Sequence, residues 1–247
     1  MRIAAVAIMA LGACTSFSAT PSVDTDAGAT DAGAADSGTA DAPADGFVGR
    51  PCGADFIDFC DDFERDFLTP GPGWVTQGSG ITPALDATTS DSPRRSLVIA
   101  VNGSPSSTGF LNHDLPATAR KFRFVFALEV DAPIALTQVV SIRFVENKYL
   151  TVSVDNGQLV ISEQDTSQPF YQAVSAGTAP MSWARYELSV DVGSAKLMTL
   201  SREGVEVARR PLVLTFGDVT SIRFGVTYTS STTSANIHYD DVGILAQ

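Results

Sequence analysis

The protein has 247 residues, a length that suits one large domain or two small ones and that all-β sandwiches commonly reach as one unit. Its 16 Lys and Arg against 28 Asp and Glu give a formal net charge of -12, which disfavours binding to the phosphates of nucleic acids. With 44% hydrophobic and only 18% charged residues, the chain is not a wholly disordered polymer, and three cysteines are too few for a disulfide scaffold.

The N-terminus has the pattern of an export signal. Arg2 supplies a minimal positive charge, and residues 3–11 form an almost unbroken apolar run. A helix needs roughly 20 apolar residues to cross a bilayer, so this shorter run is typical of a signal peptide and not of a membrane span.

The segment Leu11-Gly12-Ala13-Cys14 follows that run and resembles the lipobox of bacterial lipoproteins. The resemblance implies that residues 1–13 are removed and that Cys14, lipidated as the new N-terminus, holds the protein on a membrane through several acyl chains. We therefore expect an extracytoplasmic protein on a bacterial membrane, at the outer membrane, the cell surface or the periplasmic face. An ordinary secretory signal cleaved near Ala13 is the alternative.

Residues 14–47 form a low-complexity segment composed almost entirely of Ala, Asp, Gly, Ser, Thr and Pro. Six of the 28 acidic residues lie in this segment. Such a composition cannot bury enough apolar surface to offset the entropy lost when a backbone is ordered, so we interpret it as a disordered tether. Its aspartates do not have the spacing of Ca²⁺-binding loops.

From residue 48 onward, aliphatic and aromatic residues return and alternate with polar ones. Alternation with period two predicts strands whose two faces meet different environments. It is clearest at 122–130, 186–192 and 222–228, where every second residue, up to and including Tyr228, is apolar or aromatic. Further strand candidates are 95–101, 137–146, 148–155, 157–163, 195–203 and 234–245. The sequences Asp155-Asn156-Gly157 and Arg202-Glu203-Gly204 predict tight turns between strands.

Many antiparallel strands with one polar face each indicate an all-β sandwich or barrel. Several segments then carry a resemblance: Phe59-Cys60-Asp61-Asp62-Phe63-Glu64, Gly73-Trp74, Ser182-Trp183-Ala184-Arg185-Tyr186-Glu187-Leu188 and Ile237-His238-Tyr239-Asp240-Asp241-Val242-Gly243-Ile244. They resemble strand motifs of the concanavalin A-like lectin/glucanase superfamily, especially its LamG-like members. The resemblance implies a two-sheet antiparallel jelly-roll sandwich, which we assign to residues 48–247.

Two cysteines besides Cys14 lie near the start of this domain. Cys52 and Cys60 form an even pair eight residues apart, which in an exported chain favours a disulfide that closes a short loop. A metal site is the alternative, although two thiols without a nearby histidine make a poor zinc site.

Catalytic motifs are weak. Glycoside hydrolases need two carboxylates that flank the glycosidic bond, and the nearest match to the alternating acids of laminarinase-like members has Glu129 and Asp131 but no final glutamate. Lyase-type jelly rolls use Arg, Gln-x-His and Tyr, and neither His113 nor His238 has that context. We therefore predict no enzyme activity, with a divergent glycan hydrolase or lyase as an alternative.

Superfamily members often bind a structural Ca²⁺ beside the last strand. By resemblance, Asp240 would be a ligand, with Asp61 or Asp62 as neighbours, and their carboxylate oxygens suit Ca²⁺. The alternative is that these aspartates are surface residues or hydrogen-bond acceptors in turns and ladders. No other cofactor is required.

Three arginines lie between apolar residues of predicted strands, namely Arg123, Arg143 and Arg223. If their strands are neighbours in one sheet, they form a polar stripe whose forked guanidinium groups suit the carboxylate or sulfate of an acidic glycan. Ordinary cross-strand ion pairs are the alternative. The candidates for stacking on sugars are Tyr149, Phe170, Tyr171 and Tyr228.

These features lead us to expect a lipid-anchored, non-catalytic binding protein, with carbohydrate as the ligand class that the resemblance implies. A structural or adhesion lipoprotein that binds other envelope proteins is the second candidate. Exposed aromatics and arginines on a shallow sheet favour the lectin, a groove with clustered carboxylates favours an enzyme, and a flat uncharged sheet favours a protein partner.

Overall fold

The computed structural model describes residues 58–65, 73–92 and 94–247, all within the domain predicted from residue 48 onward. The predicted signal peptide over 1–13 and tether over 14–47 lie outside the described residues, so both assignments stay predictions. In the described part of the chain, no helix has the length and hydrophobicity that are needed to cross a membrane.

Fifteen strands account for nearly all of the regular structure in the described residues. In chain order they are β1 (Phe59–Asp61), β2 (Val75–Ser79), β3 (Ala84–Asp86), β4 (Ser96–Asn102), β5 (Thr108–Asp114), β6 (Lys121–Val130), β7 (Thr137–Phe144), β8 (Lys148–Asp155), β9 (Gln158–Asp165), β10 (Phe170–Thr178), β11 (Ala184–Asp191), β12 (Leu197–Arg202), β13 (Val205–Pro211), β14 (Val219–Thr229) and β15 (Ser234–Ala246). A single 3₁₀ turn at Val145–Asn147 joins β7 to β8.

The strands form two antiparallel sheets. The eight-stranded sheet has the order β13-β12-β11-β6-β15-β4-β3, with β1 also paired to β15. The seven-stranded sheet has the order β10-β9-β8-β7-β14-β5-β2. Strands that are far apart in sequence, such as β6 and β15, are neighbours in space, as in a jelly roll. The all-β, two-sheet jelly-roll prediction is confirmed.

Period-two alternation determines which side of each strand enters the core between the sheets. In β6, Phe124 and Leu128 are fully buried while Lys121 is exposed and Arg123 half-buried. In β11, Tyr186 and the other even-numbered residues are buried in the same way. Burying one apolar face of every strand excludes water from the space between the sheets, and this is the main favourable term in folding.

The two predicted turns are confirmed. The β8–β9 hairpin turns at Asn156 and Gly157, whose φ angles are 49° and 78°. The β12–β13 hairpin turns at Glu203 and Gly204, with φ angles of 49° and 76°. A two-residue turn with positive φ at both positions matches the right-handed twist of the strands that it joins.

Six strands were not identified from the sequence, and four of them, β2, β3, β10 and β13, are the strands that end the two sheet orders. An edge strand is only partly covered, so its apolar and polar faces differ less than those of a central strand. β2, for example, is exposed at all five positions. The pattern therefore fails where the environment of the two faces is similar.

A buried ion pair joins the sheets at the edge formed by β10 and β13. Arg210 on β13 lies 2.6 Å from the carboxylate of Glu163 on β9, which is fully buried. Glu163 also accepts hydrogen bonds from the backbone N–H groups of Val213 and Leu214. A buried charge is tolerated when it is paired and hydrogen-bonded, and this pair fixes the edge of the seven-stranded sheet.

Candidate functional site

Cross-strand registers arrange the outward residues of the seven-stranded sheet in rows that run across the strands. The first, here called the aromatic row, contains Tyr171, Gln164, Tyr149, Arg143, Ser221 and Asp114. The second, here called the hydroxyl row, contains Ala173, Ser162, Thr151, Ser141, Arg223 and Asn112. Directly opposed residues on antiparallel strands point to the same face. Long side chains of one row therefore stand beside the short side chains of the next.

A cavity of ≈ 450 Å³ lies on this face, within the range of roughly 300–1,000 Å³ that is typical of ligand sites. Its lining consists of Leu136, Gln138, Ser141, Tyr149, Gln164, Thr166, Tyr171, Arg223, Thr227 and Tyr228. The lining is rich in aromatic rings, amides and hydroxyls. Among the described residues, the lining contains one cation, Arg223, and no carboxylate.

An irregularity in β14 adds Thr227 and Tyr228 to this cavity. Phe224 pairs with Val140 and Tyr228 pairs with Gln138, so four steps along β14 face two steps along β7. Such a bulge resets the alternation. Tyr228, which the alternation placed on the core side with its neighbours, is therefore 43% exposed, and that prediction is wrong.

Arg223 is held in a defined orientation at the β14 end of the hydroxyl row. Its guanidinium carbon lies 4.8 Å from the ring centroid of Phe110, a distance typical of a cation–π contact. Its Nε donates a hydrogen bond to Asn112 Oδ1 at 3.2 Å, and Asn112 Nδ2 donates to Asp114 Oδ1 at 3.1 Å. The aromatic platform and the amide therefore fix the plane of the guanidinium group.

Arg143 and Arg223 are close enough to influence each other. Burial and the positive charge of Arg143 lower the pKa of Arg223 from its ordinary value. The Nε of Arg143 and the Oγ of Ser141 are both buried without a hydrogen-bond partner. Polar groups that are removed from water and left unpaired are costly, so this corner of the face has unused hydrogen-bonding capacity.

The structure separates Arg123 from the other two arginines. Arg123 lies on β6 of the eight-stranded sheet, where its Nη2 donates to Glu187 at 2.8 Å. The prediction of one stripe through all three arginines is therefore wrong for Arg123, whereas Arg143 and Arg223 do lie on neighbouring strands. The cross-strand ion pair considered as the alternative is the arrangement of Arg123.

The other aromatic candidates lie on β8 and β10, and they do not all point to the face that carries the cavity. Tyr149 and Tyr171 both line the cavity and flank Gln164 in the aromatic row. Phe170 is next to Tyr171 on the alternating strand, is partly buried and does not line the cavity. The structure thus brings together all three tyrosines that were candidates for stacking, and Tyr228 reaches the cavity because of the bulge.

The weak catalytic motifs lie elsewhere. Glu129 is on β6 of the eight-stranded sheet, and Asp131 just after it accepts hydrogen bonds from Asn236. His238 is on β15 of the same sheet, with its Nδ1 3.6 Å from Asp86. His113 contacts the backbone oxygen of Gly73 at 2.8 Å. None of these acids or histidines lines the cavity.

The carboxylate of Asp61 is surrounded by hydrogen-bond donors. It accepts from Trp74 Nε1 at 2.8 Å, from Arg65 at 2.7 Å and from the backbone N–H of Phe63 at 2.9 Å. Asp62 accepts a hydrogen bond from a nearby backbone N–H on the surface. These contacts are those of turn and strand acceptors, and they join the two segments Phe59–Glu64 and Gly73–Trp74 that carry the resemblance.

Asp240 is fully buried and is also surrounded by N–H groups. Its Oδ2 accepts hydrogen bonds from the backbone of Asp91 and Ser92 at 3.0 and 2.8 Å, and its Oδ1 accepts from Asp241 at 2.8 Å. Burial raises the pKa of Asp240 to about 6. Ca²⁺ needs oxygen ligands in place of donors, so these surroundings do not fit the ion. In the described ranges, no group of three or more His, Cys, Asp or Glu could hold a metal.

The predictions for the cysteines concern the N-terminal side of the domain. Cys60 lies in β1, opposite Gly243 of β15. Its expected partner Cys52 and the lipidation site Cys14 lie outside the described residues. The Cys52–Cys60 disulfide and the lipid on Cys14 therefore stay predictions.

Solved structures share the fold. The cellulose induced protein Cip1 superposes with a TM-score of 0.62 at 13% identity, over 77% of this chain and 98% of that one. An endo-β-1,4-glucuronan lyase from the fungus Trichoderma reesei gives 0.53 at 12% identity, over 77% and 95%. Botulinum neurotoxin type C, whose cell entry depends on two ganglioside molecules, gives 0.50 at 10% identity, over 70% and 43%. At these identities the similarity establishes a jelly-roll, concanavalin-like sandwich.

No protein-family model matches the chain, and no curated protein matches it. Gln138, Gln164 and Ser141 were not singled out from the sequence, because their position over the cavity depends on strand register. Once β7, β8 and β9 are paired, spacing by two residues could have identified Ser141 with Arg143 and Ser162 with Gln164 as one face. Gln138 is three residues from Ser141, beyond a register shift in β7, so spacing alone would not have identified it.

Proposed function

We propose that this protein is a non-catalytic, lectin-type glycan-binding protein, exported and anchored to a membrane through Cys14. The observation that carries the proposal is the lining of the cavity on the seven-stranded sheet, which combines tyrosine rings with amides and hydroxyls. Sugars present both apolar C–H faces and hydroxyl groups, and this lining offers a partner for each.

The aromatic row supplies the stacking surface. Tyr171 is half exposed and Tyr149 is partly exposed, with Gln164 between them. Exposed tyrosines give large contact areas at little entropic cost, because they have few rotatable bonds, and their hydroxyls form hydrogen bonds. The amides of Gln164 and Gln138 can donate and accept hydrogen bonds, which suits the hydroxyl groups of a sugar.

The similar structures support carbohydrate as the ligand class. One is named for induction by cellulose, one acts on β-1,4-glucuronan, and one is described with gangliosides. Their identities of 10–13% transfer only the fold, so the support from these names is general. The choice of this face as the binding site rests on the cavity lining alone.

The proposal that binding is non-catalytic rests on the residues around the cavity. A glycosidase needs two carboxylates that flank the bond, and none of the described residues that line this cavity is a carboxylate. A divergent polysaccharide lyase is a further candidate, because arginine and tyrosine side chains share one face. Incubation with β-1,4-linked oligoglucuronate, followed by ultraviolet detection of unsaturated product, tests the lyase. We expect no product.

A glycan array probed with the full chain tests the binding function. We expect selective retention on a subset of glycans, and we expect Tyr149→Ala and Tyr171→Ala to weaken it. The matched variants Tyr149→Phe and Tyr171→Phe keep the rings and should retain most of the binding. Silence across neutral and acidic glycans would refute the glycan proposal and leave an envelope-protein partner as the next candidate.

Cell fractionation tests the anchor. Export in a lipoprotein-processing bacterium should place the wild-type protein in the membrane fraction and the Cys14→Ala variant in the soluble fraction. If Cys14→Ala still partitions into detergent and remains with membranes, the lipid-anchor proposal is wrong.

A further inference from the structure

The two arginines of the seven-stranded sheet are not explained by binding to a neutral sugar. Arg143 and Arg223 lie on neighbouring strands in adjacent rows, with Ser221 directly opposite Arg143 and Ser141 directly opposite Arg223. No ion pair within the described residues joins either guanidinium to a carboxylate. Two cations held together on a partly buried surface repel each other and are costly unless an anion is bound between them.

Ser141 lies at the junction of the two arginines. It is two positions from Arg143 on β7 and opposite Arg223 on β14. Its side chain is 1% exposed, lines the cavity and has an Oγ without a hydrogen-bond partner. The Nε of Arg143 is likewise buried and unpartnered. Ser141 and Arg143 are two positions apart and therefore share one face of β7, and among the described residues neither of these two donors has an acceptor.

Asp114 is the carboxylate nearest in register, and Asn112 stands between it and Arg223. The amide of Asn112 donates to Asp114 through Nδ2 and accepts from Arg223 Nε through Oδ1. This relay engages one edge of the Arg223 guanidinium. No hydrogen bond within the described residues engages its two terminal amino groups. Because Phe110 supports the plane of the group, those two donors are pre-oriented as a fork.

We propose that Arg143, Arg223 and Ser141 form an anion subsite at the β14 end of the cavity, and that the ligand is an acidic glycan carrying a carboxylate or a sulfate. This inference rests on the proposed glycan-binding function and deepens it. The acidic group accepts hydrogen bonds from the guanidinium forks and from the Ser141 hydroxyl. The uncharged part of the sugar chain extends toward Tyr149 and Tyr171, across the strands of the sheet.

The geometry favours a planar or tetrahedral oxyanion over a neutral hydroxyl. A guanidinium fork binds carboxylate or sulfate through two parallel hydrogen bonds, which are about twice as strong as neutral ones. A bound anion also removes the repulsion between the two cations. Asn112 and Phe110 are positioning residues in this arrangement, because they contact Arg223 and orient it.

Titration calorimetry on the full chain with three matched oligomers tests the subsite. The probes are β-1,4-linked tetraglucuronate, cellotetraose, which has the same linkage with a hydroxymethyl group in place of each carboxylate, and 6-O-sulfated cellotetraose. We expect at least one acidic oligomer to bind about tenfold or more tightly than cellotetraose, since a hydrogen bond to a charged group is typically worth about that factor. The comparison between the two acidic oligomers distinguishes carboxylate from sulfate.

Variants locate the effect. Arg223→Gln and Arg143→Gln should each reduce the acidic-to-neutral affinity ratio toward one. Arg123→Gln, an arginine of the opposite sheet, should leave the ratio unchanged. The ratio is measured within each variant, so residual binding of cellotetraose shows that the cavity is still folded. If Arg223→Gln does not fold, Arg223→Lys keeps the charge without the fork and should also lower the ratio.

The outcomes separate this inference from the proposed function. If wild-type protein binds neither neutral nor acidic oligomers, the glycan-binding function fails and the subsite fails with it. If it binds cellotetraose as tightly as both acidic oligomers, or if the arginine variants keep the wild-type ratio, only the anion subsite is refuted.

Discussion

On the outer face of the eight-stranded sheet, arginines lie against carboxylates. Arg123 is 2.8 Å from Glu187, and Arg185 is 2.8 Å from Asp91. On the outer face of the seven-stranded sheet, Arg143 and Arg223 have no such partner among the described residues, and tyrosines and a cavity lie beside them. The outer face of the eight-stranded sheet therefore neutralises its arginines internally, whereas the outer face of the seven-stranded sheet keeps two arginines available beside a cavity that a ligand can enter.

The contrast has an energetic consequence. An exposed ion pair changes stability by only about 0–1 kcal/mol, so the paired face can form its bridges without large gain or loss. Two partly buried guanidinium groups without a counter-ion repel each other, and this repulsion is relieved when an anion binds.

Ser141→Asp would give the seven-stranded face the kind of internal partner that the other face has. The new carboxylate lies opposite Arg223 and two residues from Arg143, so it should pair with them and repel an acidic ligand. We expect affinity for the acidic oligomer to fall by about a hundredfold, since like charges in one site cost several kcal/mol. The measurement is titration calorimetry.

The control for this change is Ser141→Asn, which has nearly the same shape and no charge. It should weaken the acidic oligomer far less than Ser141→Asp does. Equal losses in the two variants would mean that the added bulk, and not the compensated charge, closes the site.

Truncation of the aromatic row tests the other part of the cavity. Tyr149→Ala should weaken both neutral and acidic oligomers by about tenfold, because an aromatic contact at the centre of an interface is typically worth more than 1 kcal/mol. Tyr149→Phe should lose little. An effect of Tyr149→Ala on the acidic oligomer alone would contradict the role of the ring as a stacking surface.

Titration of Asp240, on β15 of the eight-stranded sheet, should change the stability of the protein and not its affinity for glycans. Burial raises the pKa of Asp240 to about 6 from its ordinary value of 3.8, so its ionised form is disfavoured in the folded protein. The folded state is therefore expected to gain stability as the pH falls from 7 through 6 toward 4. Asp240→Asn has no carboxyl group to titrate at this position. As the pH falls over that window, the free energy of unfolding of the wild type should therefore rise relative to that of the variant by up to about 2–3 kcal/mol.

Thermal or urea unfolding of both proteins at several pH values measures this difference. Parallel pH profiles for wild type and Asp240→Asn would contradict the assignment. Glycan affinity measured at the same pH values should not follow the Asp240 titration.

Removal of a bridge on the paired face should have a small effect. Glu187→Gln removes the ion pair between Glu187 and Arg123, whose side chains are both partly exposed. We therefore expect the free energy of unfolding to fall by less than about 1 kcal/mol and the glycan affinity to stay unchanged. A gain of acidic-oligomer binding in Glu187→Gln would show that an arginine far from the cavity can bind the acidic group, and it would contradict the role of the cavity.

Calcium should have the smallest effect. The N–H donors around Asp61 and Asp240 leave little room for a cation among the aspartates that the resemblance suggested. We expect the same melting temperature in Ca²⁺ and in chelator. A rise in Ca²⁺ that is lost in Asp240→Asn would restore the calcium prediction.

Much of the fold could be predicted from the sequence, because alternation and turn residues act locally. The β6 and β11 segments and the Asn156-Gly157 turn follow from patterns of two to ten residues. The order of strands could not be predicted in the same way. Arg123 and Arg223 have the same surroundings in sequence, with an apolar residue on each side, yet their strands belong to different sheets.

The site depends on features that local patterns do not contain. Alternation indicates which residues share a face, but it does not indicate the sheet that a strand joins or its register. The sequence therefore could not show that Ser141 lies opposite Arg223, because that position depends on the register between β7 and β14. The bulge between Phe224 and Tyr228 needs Gly225, whose φ of 120° and close approach to Gly109 leave no space for a Cβ, and it reverses the predicted side of Tyr228.

Amide chemical-shift mapping with a bound acidic oligomer tests the central contrast between the two faces most directly. The account predicts saturable shifts concentrated in β7, β8, β9, β10 and β14 around Ser141, Tyr149, Gln164, Tyr171 and Arg223, with the outer face of β6 and β11 unaffected. Shifts centred on Arg123, Arg185 and Glu187, with the cavity residues unchanged, would contradict it.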